Sequence, residues 1–338
     1  MSTPAPRSPT PRDLPVVVVG AGAAGTMAAI FAAEAGARTV LLERTRDGGR
    51  KILISGGGRC NVLPSRVEPG QYFTESSRNT LKKMLLSWPL PEQRRFFEEQ
   101  VGTRLVLEPE TGKLFPESNR ARDVRDGLVA LAQRRGAETR FGQTVVGLRP
   151  PVGDGPWRVV LEGGREMEAA AVVLAAGGLS VPATGSDGTG WRIARQLGHA
   201  VNETYPALTP LTADPPVHAP LAGISLSVHL EAPLEKGALT ADGGFLFTHR
   251  GYSGPTVLDV SHLAVRSRGS ARPQPILVRW TELDAAGWEA LMRDRTAATV
   301  GSLVRRRLPQ RLADALVEEA NVQAETALAQ LRREDRVR

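Results

Sequence analysis

The 338-residue chain contains a single cysteine, five histidines and only five lysines, at 51, 82, 83, 113 and 236. One cysteine excludes an internal disulfide framework and any site built from several thiolates, and is compatible with a reducing compartment. The histidines, at 199, 218, 229, 249 and 262, show no HExxH or other short ligand spacing, so no metal site is expected. No apolar run reaches the ~18–20 residues of a membrane span. The Pro/Ser-rich opening "MSTPAPRSPTPRD" lacks an apolar h-region, so residues 1–14 read as a disordered leader rather than a signal peptide. A soluble, cytoplasmic protein with no membrane partner is expected. Aromatic residues make up only 5% of the chain. The net charge of +7 is carried almost wholly by scattered arginines, with no RRM-like or helix-turn-helix signature, which argues against a nucleic-acid partner and for a small-molecule substrate. The oligomeric state is not legible.

What the chain has in excess is glycine (35) and proline (25), and the glycines are placed. Val16 to Val19 are four consecutive β-branched residues, suited to a strand buried on both faces. "GAGAAG" follows at 20–25, then a run of helix formers with Met27, Ile30 and Phe31 on one face, a stop at Gly36, and a second strand "RTVLLE" ending at Glu43. This is a βαβ unit carrying GxGxxG in its required context. Gly20 permits the tight turn, Gly22 close approach of a pyrophosphate, and Gly25 close helix packing. The helix N-terminus supplies N–H donors and the positive end of a dipole. Glu43 can accept hydrogen bonds from both hydroxyls of an adenosine ribose, and its charge argues against a 2′-phosphate there. The motif alone leaves NAD and FAD both open.

A second glycine-rich stretch, "RKILISGGGRCNV" at 50–62, is suited to covering a pyrophosphate and reaching toward a flavin. Arg50, Lys51 and Arg59 can offset diphosphate charge, while Ser55 and the amides of Gly56, Gly57 and Gly58 can donate hydrogen bonds. The alternative is an ordinary solvated surface loop. Further on, the pattern predicts a helical stretch over 79–100 interrupted near Pro89 and Pro91, a hairpin over 104–116, and a helix over 122–135. Strands are expected over 138–148, 157–161 and 166–175. Beyond residue 205 the texture changes to proline-rich connectors, then the alternating run "ISLSVHLE" at 224–231, then a charged helical pattern after Thr281.

"GRKILISGGGRCNV" together with "KLFPESNRARDV" (113–124), "VVLAAGGLSVPATGSDGTGWRIARQLGH" (172–199), "PALTPL" (206–211) and "GGFLFTHRGYSGPTVLDVS" (243–261) resembles the YhiN-like bacterial flavoproteins, which include aminoacetone oxidase-like and BaiN-like enzymes. The matches run in order through most of the chain. The resemblance implies an α/β fold: a glutathione-reductase-like FAD-binding Rossmann domain over 15–205, with an inserted β-barrel plus helical domain over 206–338. It places the ADP part on Gly20, Gly22, Ala24, Gly25, Glu43 and Arg44. The diphosphate and ribityl contacts fall on Arg50, Lys51, Ser55, Gly56, Gly57, Gly58, Arg59, Cys60 and Asn61. Val145 would offer backbone to the adenine, and Ala176, Gly177 and Gly178 would pass the cofactor.

The implied activity is an FAD-dependent oxidoreductase with flavin-mediated hydride or electron transfer. NAD(P)H or an amine would be the donor, with oxygen or an organic acceptor. With one dinucleotide fingerprint, any NAD(P)H would visit transiently. Such families also return to the FAD domain with a "GLYFAGE"-like segment that is not found up to Arg338. A truncated or non-catalytic dinucleotide-binding protein is therefore the alternative. Weak catalytic candidates are Cys60, either a thiol activated by Arg59 and nearby amides or a packing residue, and His249 and Tyr252, either proton-transfer groups or turn stabilisers.

Overall fold

In a computed structural model the described residues are 13–74, 76–235, 237–293 and 298–337; residues 1–12 of the expected leader lie outside them. The chain divides into two compact units between Asn202 and Glu203.

Unit 1 opens with β1 (Val16–Val19), α1 (Ala23–Glu34), β2 (Thr39–Glu43) and a short α2 (Arg50–Ile54). After β3 (Leu63–Pro64), the helical stretch is broken at its prolines into α3 (Arg78–Leu86) and α4 (Leu90–Arg95), the latter running into a wide π-turn at Phe96–Val101. The hairpin β4 (Leu105–Glu108) and β5 (Lys113–Pro116), then α5 (Ala121–Arg134), stand where the pattern places them. The unit continues through β6 (Glu138–Phe141), β7 (Val145–Arg149), β8 (Trp157–Leu161), β9 (Glu166–Ala169), β10 (Ala171–Leu174) and α6 (Thr189–Gln196).

Two expected strands are each divided between sheets. The 138–148 run becomes β6 in the parallel sheet and β7 in an antiparallel one, with Gly142 at φ +70° in the break. The 166–175 run becomes β9 and β10, parted at Ala170, whose N–H turns to the Pro15 carbonyl at 2.9 Å. The residues from Ala169 to Ala175 are all apolar, so hydrophobicity alone does not reveal that change of sheet, while the first break falls at the polar stretch Gly142 to Thr144.

The parallel sheet has the order β10-β1-β2-β6. Its residues alternate between two cores. Val18 and Leu41 face α1 and α5, meeting Ile30, Leu128 and Leu131. Val17, Val19, Val40 and Leu42 face the other way, onto Val145, Val159 and Leu161 of the β7-β8-β9 sheet and Ile193 of α6. All five residues of β2 are buried, as a strand covered on both faces requires. Each such Val or Leu contributes about 1.5–3 kcal/mol by leaving water. These layers aim the carboxyl ends of β1, β2 and β10 at one place, where doubly wound sheets bind ligands.

Unit 2 contains β11 (Leu211–Thr212), β12 (Ser225–Pro233), β13 (Ala238–Thr248), β14 (Gly251–Ser253), α7 (Pro255–Ser267), β15 (Leu277–Arg279), α8 (Ala285–Met292), α9 (Val300–Arg305), α10 (Gln310–Glu319) and α11 (Arg333–Val337). The expected barrel takes the form of an antiparallel sheet of order β11-β14-β13-β12-β15, whose edge strands do not pair with each other among the described residues. Its inner face meets α7, α9 and α10 through Val228, Phe245, Phe247, Val260, Val304 and Leu312. Among the described residues no helix is long and apolar enough to cross a membrane.

Candidate dinucleotide site

The chain leaves β1 at Val19 and turns through Gly20 (φ +102°) into α1. A Cβ on Gly25 would sit 1.7 Å from the Gly20 carbonyl oxygen, so the helix can approach the turn this closely only with glycine there. Gly22 is the opposite case: a Cβ there would meet no protein atom within 4 Å, and Gly22 lines a cleft of about 450 Å³. The first bond of α1 runs from the Thr26 N–H to the Gly22 carbonyl. Ahead of it, the amides of Ala23 and Ala24 stand at the cleft wall, with no acidic residue in the first turn to occupy them. A helix start in this condition suits an anion.

Glu43, buried at the end of β2, is committed in part to the protein. Its Oε2 accepts from the Ala21 N–H at 2.7 Å, and its Oε1 from the Thr45 N–H at 2.8 Å and the Thr45 hydroxyl at 2.7 Å. A carboxylate offers about four lone-pair sites, so one, on Oε2, is left for an external donor such as a single ribose hydroxyl. The pair of hydroxyls expected from the sequence exceeds that capacity in this arrangement.

Lys51, on α2, donates from Nζ to the Ser180 hydroxyl at 2.9 Å and to the Ser186 hydroxyl at 2.8 Å. An ammonium has three N–H bonds. The third remains for a ligand. Arg44 pairs with Asp187 at 2.7 Å, and that guanidinium, with the Thr189 N–H, holds the Asp187 carboxyl well below the usual range. Thus the segment after β10 is fastened to the segment after β2 by three hydrogen bonds, two from Lys51 and one from Arg44. Sequence reading missed Ser180, Ser186, Asp187 and Thr189. Their signal was a Ser/Gly/Asp-rich loop at the carboxyl end of a parallel strand.

Arg125 of α5 supports the same wall from behind. Its buried guanidinium donates to the carbonyls of Asp47 and Gly48, each at 3.2 Å, and lies 3.2 Å from the Asp47 carboxylate and beside Asp126. The turn it holds leads into Gly49, Arg50 and Lys51, all at the cleft.

Of the expected residues, Gly20, Gly22, Ala24, Glu43, Arg44, Arg50, Lys51, Ser55, Cys60, Asn61, Val145, Ala176 and Gly177 line the cleft. Gly25, Gly56, Gly57, Gly58, Arg59 and Gly178 do not. Gly56 and Gly57 take left-handed conformations (φ +56° and +68°), and a Cβ on Gly56 would meet the Asn61 nitrogen at 2.9 Å and Phe115 at 3.0 Å. Gly56 therefore turns tightly against protein, whereas a Cβ on Gly57 would meet no protein atom within 4 Å. Arg59 turns to Glu108 at 2.8 Å and stacks over Phe115, its charge spent there. Gly178 packs on the Trp191 ring.

Of the two readings of Cys60, a packing residue is the one its buried surroundings favour. Burial pushes its thiol up, the Ser55 hydrogen bond offsets this only in part, and Arg59 is engaged elsewhere. Cys60 is a protonated wall residue, held at φ +65°.

His249 and Tyr252 belong to unit 2. His249 is exposed. The Tyr252 hydroxyl lies 2.7 Å from His218 Nδ1, and His218 Nε2 meets the Glu319 carboxylate. Burial, reinforced by the Glu319 charge, pushes the Tyr252 phenol up. Neither His218 nor Glu319 was legible as a partner.

The profile of the family described as "HI0933-like protein Rossmann domain" matches residues 14–313. The ribosomal RNA dihydrouridine synthase of Escherichia coli K12 is 32% identical over 252 residues, 72% of this chain and 60% of that protein. The 3-dehydro-bile acid delta(4,6)-reductase of Clostridium scindens is 31% identical over 254 residues, 73% of this chain and 60% of that one. The chain thus spans about 60% of the length of these curated relatives. Among solved structures, the THI4 protein of Thermovibrio ammonificans aligns with 16% identity and a TM-score of 0.37, over 56% of this chain and 64% of that one.

Proposed function

Because the chain belongs to the HI0933-like Rossmann family, whose members are FAD-dependent oxidoreductases, we propose that the unit 1 cleft holds FAD and that the protein reduces a polarised carbon–carbon double bond of a small-molecule substrate, with NAD(P)H as visiting donor. The observation that carries the cofactor reading is Gly22. Its missing side chain leaves open space directly before the free amides of α1, a cradle that any Cβ would occupy.

FAD, when bound, supplies a two-electron hydride acceptor and donor. This chain's residues bind and orient it. The amides of Ala23 and Ala24 would receive the diphosphate, and the third N–H of Lys51 would reach the same charge. Glu43 Oε2 would accept one ribose hydroxyl, and the backbone of Gln143 to Val145 would border the adenine. Ile52, Cys60 and Val62 give the cleft an apolar stretch that excludes water. Cys60 is kept protonated by its burial, so it places no negative charge there.

The substrate class draws on the relatives' names. A dihydrouridine synthase and a delta(4,6)-reductase each saturate a ring carbon–carbon double bond. A small molecule, rather than RNA, is favoured because aromatic residues make up only 5% of the chain and several arginines are paired locally, as in Arg44–Asp187, Arg59–Glu108, Arg140–Glu138 and Arg305–Asp314.

The test is the visible absorption of the desalted 338-residue chain with added FAD, followed by anaerobic NADH or NADPH, then a cyclic enone or ribosomal RNA. Retained FAD, bleached by the nicotinamide and recoloured by the enone, is expected. Recolouring by RNA alone would move the substrate to RNA. A colourless chain that takes up no FAD would refute the cofactor assignment and leave the non-catalytic reading.

A further inference from the structure

Two phenyl rings in the unit 2 core, Phe245 and Phe247 on β13, are almost wholly buried. Each touches the same two oxidisable side chains. Trp280, just beyond β15, lies edge-on to Phe245 with ring centroids 5.2 Å apart and stacks on Phe247 at 5.5 Å. Tyr252, on β14, sits 5.6 Å from Phe245 and 6.0 Å from Phe247. Trp280 is only half-buried and lines a groove open to solvent. An indole at the surface and a phenol further in are thus joined by a continuous run of aromatic contacts.

The phenol has a proton acceptor built against it. Its hydroxyl lies 2.7 Å from His218 Nδ1, and His218 Nε2 meets the Glu319 carboxylate at the end of α10. A carboxylate only accepts, so Nε2 carries the imidazole hydrogen, and in the neutral ring Nδ1 is left to accept from the phenol O–H. The chain of hydrogen bonds leads outward, since the His218 side chain is 20% exposed and that of Glu319 51%. Burial and the Glu319 charge push the Tyr252 phenol up, so it holds its proton at neutral pH and needs a base at the moment it gives up an electron. The contact is not the only tie of α10 to this turn, because Arg311 also donates to the Pro220 carbonyl at 2.9 Å.

We propose that Trp280, Tyr252, His218 and Glu319 form a proton-coupled redox site that intercepts small one-electron oxidants, diffusible radicals that arrive by the groove. The oxidant takes one electron from the Trp280 indole. Tyr252 refills the indole by electron transfer past Phe245 and Phe247, which fill the gap and are not themselves oxidised. As that electron leaves, the Tyr252 O–H bond breaks and its proton forms an N–H bond at His218 Nδ1. The oxidant is reduced by one electron, Trp280 is restored, and Tyr252 ends as a neutral phenoxyl radical beside an imidazolium paired with Glu319. Moving the proton within an existing hydrogen bond avoids a cationic phenol radical, which apolar surroundings would strongly disfavour. Imidazole suits the exchange because it takes and releases a proton in the physiological range. The site lies wholly within unit 2 and does not depend on the flavin reading.

The 338-residue chain is exposed to a pulse of azide radicals, a one-electron oxidant of indoles and phenols, and the optical bands of the indole and phenoxyl radicals are followed. Indole radical should convert to phenoxyl radical at a rate independent of protein concentration. The chain has three tyrosines, at 72, 205 and 252, so the double variant Tyr72→Phe, Tyr205→Phe assigns the signal and should keep the conversion. Adding Trp280→Phe to that double variant should remove most of the phenoxyl amplitude. His218→Gln keeps a hydrogen-bonding group without a base, and should slow the conversion at least about tenfold, the loss of a positioned base, while the indole radical still forms. Glu319→Gln keeps the shape of the side chain with α10 still tied through Arg311; it should slow the conversion less and melt at the wild-type midpoint, and it serves if His218→Gln fails to fold. A merely structural pin at His218 would leave the rate unmoved in any variant that folds. No phenoxyl radical in the double variant, an amplitude unaffected by Trp280→Phe, or a rate unchanged in the folded His218 and Glu319 variants overturns the proposal.

Discussion

The Lys51 ammonium lies 2.8 Å from the Ser186 hydroxyl oxygen, a contact closed over 135 residues of chain. It joins the helix after the second glycine-rich segment to the loop after β10, and it fixes a lysine with one N–H to spare at the cleft. A charge-assisted hydrogen bond contributes about 1.5–3 kcal/mol. Lys51→Met should therefore raise the FAD dissociation constant roughly tenfold to a hundredfold, measured by quenching of flavin fluorescence. Ser186→Ala, which frees the ammonium without removing it, should have a smaller effect. Equal losses in the two variants would mean that Lys51 acts only as a strut.

Gly22 and Gly25 separate binding from folding. Gly25→Ala puts a methyl 1.7 Å from the Gly20 carbonyl oxygen, a backbone atom that cannot swing aside. Overpacking of this kind costs about 1–3 kcal/mol or more, so the melting midpoint should drop with or without cofactor. Gly22→Ala meets no protein atom. The apo midpoint should stay near wild type while FAD uptake is lost. An alanine at Gly22 that binds FAD normally would show that the diphosphate does not pass there.

These two glycines belong to the part of the site that was legible in the sequence. Strand, turn, helix and the acid at the end of the next strand are local, and each residue's role follows from its neighbours in the chain. Lys51 with Ser180 and Ser186, and Arg44 with Asp187, were not legible as pairs, because no periodicity links residues 129 to 143 positions apart. Gly56, which packs against Asn61 and Phe115, was ambiguous for a related reason. A backbone that must take left-handed φ reads the same in sequence whether it bends around a ligand or around Phe115. Arg59 reads as a diphosphate partner until Glu108, from another hairpin, is seen to take its charge. The break between β9 and β10 went unread because every residue from Ala169 to Ala175 is apolar, and the only local mark of the break between β6 and β7 was the short stretch Gly142 to Thr144.

Arg125 tests whether the cleft wall is held from behind. Its side chain is 7% exposed and Asp47 is 48% exposed, so the pair is half screened while the two carbonyl contacts are not. Arg125→Met should cost about 1–3 kcal/mol, mainly from carbonyls left without donors, and should weaken FAD binding beyond what the lower stability explains. Chemical denaturation and FAD titration at a temperature where the variant is fully folded check the two effects separately. If FAD affinity is unchanged under those conditions, Arg125 supports the fold and not the site.

Cys60 gives a pH dependence with a definite sign. Its thiol is pushed above the ordinary value by burial, so the folded chain holds that proton more tightly than the unfolded one. The proton linkage favours the native state fully below the ordinary thiol pKa, and the advantage is lost as pH rises toward the folded value. The stability of the wild-type chain should accordingly fall more steeply than that of Cys60→Ala between roughly pH 8 and 10, since an unperturbed thiol titrates near 8.5. The same burial makes the native thiol slow toward a disulfide reagent at pH 8, and unfolding in denaturant should speed the reaction strongly. Fast reaction of the folded chain would restore an activated thiolate, and with it a redox role for this residue at the cleft wall.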